Sequence, residues 1–128
     1  MIRDAVYFNA LTETIICCAY KVANQLGYGF LEKVYENSMA LELAATGLNA
    51  LQQQSIKVHY NVHVVGDFYV DLIVEDEIVV ELKTVKSLNG SHLAQCLNYL
   101  KATQKKLGLL INFGDGKVTV KRIVNGFE

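Results

Sequence analysis

Apolar residues first recur at three- and four-residue spacing. Leu11, Ile15, Cys18, Ala19 and Val22 share one side of a 3.6-residue period, which predicts a helix over about residues 4–25. Gly27-Tyr28-Gly29 then interrupts the chain, because glycine adopts turn conformations closed to other residues. A second helix is predicted over about residues 30–46, with Leu31, Val34, Tyr35, Ser38, Leu41 and Ala45 along one face and Gly47 as its stop. After Gly47 the period changes to two. Ile56, Val58, Tyr60, Val62 and Val64 alternate with mostly polar neighbours, the pattern of a half-buried strand. Gly66-Asp67 reads as a turn, and Phe68 to Val74 as a second strand. Glu75-Asp76-Glu77 reads as a tight charged turn before a third strand, Ile78 to Lys83. The unbroken apolar run Ile78-Val79-Val80 predicts that this strand is covered on both faces. A third helix over about residues 91–103 follows, then a strand from Leu107 to Phe113, a Gly114-Asp115-Gly116 turn and a last strand from Val118 to Val124. The order α-α-β-β-β-α-β-β predicts an α/β fold, a mixed β-sheet flanked by helices.

Length and composition sharpen this picture. The 128 residues fit one domain, residues 1–128, able to bury a core without metal or disulfide staples. With 52% hydrophobic and 20% charged residues, disorder is excluded. The longest early apolar stretch, Thr14 to Tyr20, is too short to span a bilayer, so no membrane association is expected. Cys17, Cys18 and Cys96 form no C-x-x-C pair, and their odd number predicts reduced thiols and a cytoplasmic location. Cys17 and Cys18, adjacent in an apolar run, are expected to be helix packing residues.

The net charge of −1 is not that of a classical nucleic-acid binder, but the charges are unevenly spread. Eight basic residues lie between Lys83 and Arg122, with Asp115 the only acid among them. The acids Asp67, Asp71, Glu75, Asp76, Glu77 and Glu81 come just before. Carboxylates beside a basic region suit a metal site facing a phosphate backbone. Ordinary solvated surface charge would give the same pattern.

The chemistry-bearing pattern is Asp71 followed by Glu81-Leu82-Lys83. The charged turn centres near residue 76, so Asp71 and Glu81 fall on neighbouring antiparallel strands, nearly opposite. Cross-strand partners stand about 4.5–5.5 Å apart at Cβ. Two carboxylates that close repel unless one is protonated or a cation lies between them. Hard oxygen donors favour Mg²⁺ or Mn²⁺. Lys83, two residues from Glu81, shares its face and is placed to orient an attacking water and stabilise charge on a phosphate. A salt-bridged pair on an exposed sheet face is the plainer alternative. On the third helix Gln95 and Tyr99 lie one turn apart, with His92 on the same side. Gln95 can hydrogen-bond a water or a phosphate, and Tyr99 can contact a nucleic-acid backbone. His92 reads more readily as a surface or cap residue. Glu32 opens the second helix, where the helix dipole favours a carboxylate. It is also placed to be a further acid in the same site.

Together these pieces resemble a known family. Gly29-Phe30-Leu31-Glu32-Lys33-Val34-Tyr35 matches the G-x-x-E-x-x-Y signature of the GxxExxY proteins, which belong to the PD-(D/E)XK nuclease superfamily. Val70-Asp71 with Glu81-Leu82-Lys83 looks like the D…E-x-K core of that superfamily. Gln95-Cys96-Leu97-Asn98-Tyr99 resembles its Q-x-x-x-Y motif, and Leu109-Leu110-Ile111-Asn112-Phe113-Gly114 its typical strand. The resemblance implies metal binding by Asp71 and Glu81, with the Leu82 carbonyl as an added ligand. It implies a catalytic Lys83, with Glu32, Gln95 and Tyr99 completing the site. Three positions depart from the family pattern: Ala23 stands for a usual His, Tyr28 for a usual Pro, and Tyr69 for a frequent Arg. The expected activity is Mg²⁺- or Mn²⁺-dependent hydrolysis of phosphodiester bonds in DNA, with RNA as the less favoured substrate. The alternatives are a catalytically inactive nucleic-acid-binding or accessory protein that keeps the nuclease fold, and a purely structural domain. A small nuclease cutting duplex DNA often works as a dimer, so a homodimer is one expectation.

Overall fold

The structure is a computed structural model that describes residues 4–126; the outermost residues of the expected domain, 1–3 and 127–128, lie outside the described residues. Eight elements follow the predicted order: α1 (Ala5–Leu26), α2 (Glu32–Ala45), β1 (Ala50–Tyr60), β2 (His63–Val74), β3 (Ile78–Lys83), α3 (Gly90–Thr103), β4 (Leu107–Asn112) and β5 (Thr119–Val124). The strands form one sheet in sequential order. β1–β2, β2–β3 and β4–β5 are antiparallel. β3 and β4 run parallel, and α3 is the crossover that parallel neighbours require. The sheet is therefore mixed.

Two cores sandwich the sheet. On one face α1 and α2 cover Leu72, Val74, Ile78, Val80, Leu82, Leu107, Leu109 and Ile111. On the other, Tyr99 and Leu100 of α3 pack on Ile56, Val70, Ile73 and Val79. Adjacent Val79 and Val80 serve opposite cores, which accounts for the apolar run in β3. Val70 and Leu72 fall into different cores although two residues apart, so the side-to-side alternation of β2 breaks at Asp71. α1 buries the predicted stripe, Leu11, Ile15, Cys18, Ala19 and Val22, and Asp4 caps it by accepting a hydrogen bond from the Tyr7 N–H.

Three expectations are corrected. The face of α2 is rotated: Tyr35, Glu36, Met39 and Leu43 are buried, whereas Leu31 and Leu41 are exposed. Counting apolar positions misses a stripe that contains a buried acid. The first hairpin turns at Asn61-Val62, where Asn61 takes φ 56°, and not at Gly66-Asp67. β1 begins at Ala50, so the polar run Gln52-Gln53-Gln54 is strand, and β2 continues through Gly66. Val62 and Val64 are exposed because this hairpin projects beyond both cores, where alternation does not report burial. Cys18 packs in the core as expected, but Cys17 is exposed.

Candidate metal and phosphate site

The site forms where the β2–β3 ladder ends. Backbone pairing runs from Val74↔Ile78 through Ile73↔Val79 to Leu72↔Val80. One step further, side chains take over from the backbone. The Asp71 N–H donates to Glu81 Oε1 at 3.0 Å, and the Leu82 N–H donates to Asp71 Oδ2 at 2.8 Å. The two carboxylates thus converge, each satisfying an amide of the other strand. Glu81 is buried, at 7% exposure. Among the described residues Lys83 forms no ion pair within 4.0 Å. An exposed Glu81–Lys83 salt bridge is therefore not what the strand carries.

Burial disfavours charge on both acids. It is the main cause that pushes the Glu81 carboxyl up to about 8, with the nearby Asp71 charge adding to it and Lys83 opposing it. Asp71 is raised as well, chiefly by burial, against the hydrogen bond from the Leu82 amide. Glu32, half-buried in the first turn of α2, is raised by burial and by the charge of Asp71, while Lys83 lowers it. With Glu36, whose charge also raises Asp71 and Glu32, four carboxylates and one ammonium share one electrostatic neighbourhood. Tyr99 joins it from α3: burial, then the charges of Glu81 and Asp71, raises its hydroxyl. Gln95 is exposed one turn before Tyr99, and among the described residues no hydrogen bond links it to Asp71 or Glu81. His92 is a cap: its Nδ1 accepts from the Asn89 N–H while Asn89 Oδ1 accepts from the His92 N–H.

Several residues that position the site were not picked out from the sequence. Glu36, one turn after Glu32, is buried, and its Oε1 accepts from Gln53 Nε2 at 2.6 Å. Gln53 Nε2 also reaches Asp71 Oδ1 at 3.3 Å. Gln53 sits at φ 51° inside β1, a strained setting for a side chain that links α2 to the site. Asn112 of β4, aligned with Lys83, is also buried. Its Oδ1 accepts from the Val85 and Gly114 amides, and its Nδ2 donates to the Val85 carbonyl. This clamps the chain that leaves Lys83. Gly114 lies so close to that chain that a Cβ there would stand 2.3 Å from the Val85 nitrogen. Tyr35 is structural: its hydroxyl donates to the Gly27 carbonyl at 2.9 Å, and its ring stacks on Phe113 with centroids 4.4 Å apart. It braces the loop that launches Glu32. Glu36 was legible only as an acid one turn after Glu32, and Asn112 only as the polar break in an apolar strand.

The donor set fits a small hard cation. No group of three or more His, Cys, Asp or Glu side chains gathers at metal-binding distance among the described residues. Mg²⁺ is commonly held by one or two carboxylates, with waters and substrate phosphates completing its shell. Asp71 and Glu81 supply that pair.

A mixed sheet between two helical layers, with a D…E-x-K constellation at the end of its central hairpin, defines a nuclease-type α/β domain. The model of the PD-(D/E)XK nuclease superfamily matches residues 9–123, and the chain belongs to that superfamily. Among solved structures, the crystal structure of SSO0001 is similar at TM-score 0.58 and 21% identity, over 95% of this chain and 61% of that one. This chain thus spans less than two thirds of SSO0001. An alkaline exonuclease, LHK-Exo from Laribacter hongkongensis, is similar at TM-score 0.55 and 14% identity, over 98% of this chain and 72% of that one. At these identities the likeness concerns the fold. The sequence matches no curated protein. No helix among the described residues is long and apolar enough to cross a membrane.

Proposed function

We propose that the protein is a divalent-metal-dependent phosphodiesterase that hydrolyses nucleic acid, DNA in preference to RNA, in the cytoplasm. The observation that carries this reading is the convergence of Asp71 and Glu81 beside Lys83, all within a superfamily of nucleases. Asp71 and Glu81 would hold Mg²⁺ or Mn²⁺, with the Leu82 carbonyl as a further oxygen donor. The cation, when bound, would polarise the scissile phosphate and make water more acidic. Lys83 offers a positive charge to the phosphate oxygens where negative charge grows during in-line attack, and can donate to the attacking water. Glu32 adds a carboxylate able to accept a proton from that water. Tyr99 and Gln95 present donors to the sugar-phosphate backbone. Asn112 and Gly114 hold the chain beyond Lys83 in place and so fix the ammonium. A homodimer would carry one such centre in each subunit.

The test is cleavage of labelled single- and double-stranded DNA and RNA by the purified protein with Mg²⁺ or Mn²⁺. Asp71→Ala and Lys83→Ala should each reduce cleavage by at least about a hundredfold, the usual scale for losing a group that stabilises transition-state charge. Unchanged cleavage in both variants would remove the assignment. The second reading, a nucleic-acid-binding protein without turnover, draws on the absence of a third metal-ligating side chain among the described residues. Calorimetric titration separates the two: no Mg²⁺ or Mn²⁺ binding favours the second.

A further inference from the structure

A groove of about 850 Å³ lies between the β1–β2 hairpin and α3, and Tyr99 of its lining packs in one cluster with Val70, the residue before Asp71. Lys57 and His59 from β1 and Lys101 from α3 line it, and no carboxylate is among the residues that line it. Gln95, Asn98 and Gln104 add amides. Lys57 is tied to Asp67 at 2.9 Å, which leaves Lys101 as the cation most available to a ligand. The floor is aromatic. Phe68, 44% exposed, leans on Tyr99 with centroids 5.9 Å apart. Gly66 makes this possible, since a Cβ there would come within 2.9 Å of the Phe68 ring. Tyr99 is the joint between the two regions: it lines the groove and feels the charges of Glu81 and Asp71.

We propose that this groove seats a single-stranded polynucleotide and leads it to the carboxylates, with a base stacked on Phe68 and a phosphate paired with Lys101. The inference rests on the phosphodiesterase reading for its direction, but not for its binding chemistry. A groove that is basic and aromatic suits a single strand, because every base offers a face to an aromatic ring and every phosphate a charge to a lysine. A duplex hides its base faces in the stack and cannot use Phe68. The exposed ring of Phe68, set against the nearly buried Tyr99, is explained by a base as its partner.

Fluorescence anisotropy with labelled dT20, rU20 and a 20-base-pair duplex tests the proposal. The full chain is used in EDTA, so that turnover plays no part. Wild type should bind a single strand at least about tenfold more tightly than the duplex. Phe68→Ala should weaken that binding about tenfold, within the range for one lost stack. Lys101→Gln should weaken it and flatten the log–log salt dependence by about 0.7, the value of one phosphate contact on a single strand. Lys121→Gln, a change on the exposed face of β5, should leave binding unchanged. Circular dichroism confirms the fold of each variant. Tight binding of either single strand supports the groove, and the tighter of the two names its sugar. No binding by wild type, duplex preference, wild-type affinity in both groove variants, or an equal loss with Lys121→Gln overturns it. If cleavage assays fail while these results hold, the hydrolytic reading falls and the groove stands.

Discussion

At the scale of single residues, the site is defined by what its acids do in place of backbone. Asp71 and Glu81 continue the β2–β3 ladder with carboxylate oxygens, and this draws Glu81 into a buried setting while Asp71 stays half-buried. The fold therefore favours the neutral form of Glu81, whose carboxyl rises from the ordinary 4.5 to about 8. A folded-state value above the unfolded one stabilises the protein fully below the unfolded value, and the benefit is lost as pH rises through the folded value. The thermal midpoint of the metal-free protein should fall between about pH 5 and pH 8 for this reason. Glu81→Gln keeps an oxygen for the Asp71 amide and carries no proton to lose, so its midpoint should be flatter across that window and above wild type at pH 8. A wild-type profile with no decline, measured by calorimetry in EDTA, would contradict the assignment. Gly114 gives a steric test. Its neighbours at Cβ distance are backbone atoms of Thr84 and Val85, which cannot swing aside. Gly114→Ala should cost about 1–3 kcal/mol, the usual toll of overpacking, in chemical denaturation. It should also slow cleavage by shifting the segment after Lys83.

At the scale of elements, the sequence disclosed the pairing whose turn signal had no competitor and hid those where a stronger turn signal or a distant partner intervened. Asp71 and Glu81 were legible as partners because Glu75-Asp76-Glu77 could only be a turn, and counting outward from it gives the observed register. The face of α2 was not legible, because its stripe contains Glu36, whose partners Gln52 and Gln53 lie on β1. The first hairpin was misplaced because Gly66-Asp67 is a strong turn signal. Gly66 instead sits in β2, where the lack of a side chain makes room for Phe68. Gln53 joins these elements, and its substitution weighs two effects. Gln53→Gly relieves a left-handed backbone at about 1 kcal/mol. It also removes a hydrogen bond to a buried carboxylate, worth about 1.5–3 kcal/mol. The loss is the larger, so the variant should be destabilised by about 1 kcal/mol in urea unfolding. A variant more stable than wild type would show that the Gln53–Glu36 link contributes less than the strain.

At the scale of the whole molecule, each layer sends something to one place. α2 delivers Glu32 and Glu36, the sheet delivers Asp71, Glu81 and Lys83, and α3 delivers Tyr99. Such a junction concentrates like charge, which opposes folding unless protons or a cation offset it. A divalent ion that binds only the folded chain should therefore raise its stability as a whole. At about 100 times its dissociation constant a ligand adds about 2.7 kcal/mol. For a domain of this size that is a rise of about 10 °C in thermal midpoint. Because the carboxylates must lose protons to bind, the rise should be large at pH 8.5 and small at pH 5.5. Calorimetric heats measured at pH 7 should vary with the ionisation enthalpy of the buffer, reporting released protons. Asp71→Asn should abolish both the rise and the buffer dependence, whereas Phe68→Ala, which removes no carboxylate, should preserve both. An equal rise in Asp71→Asn would place the ion elsewhere on the surface and leave the convergence of Asp71 and Glu81 as a device of the fold.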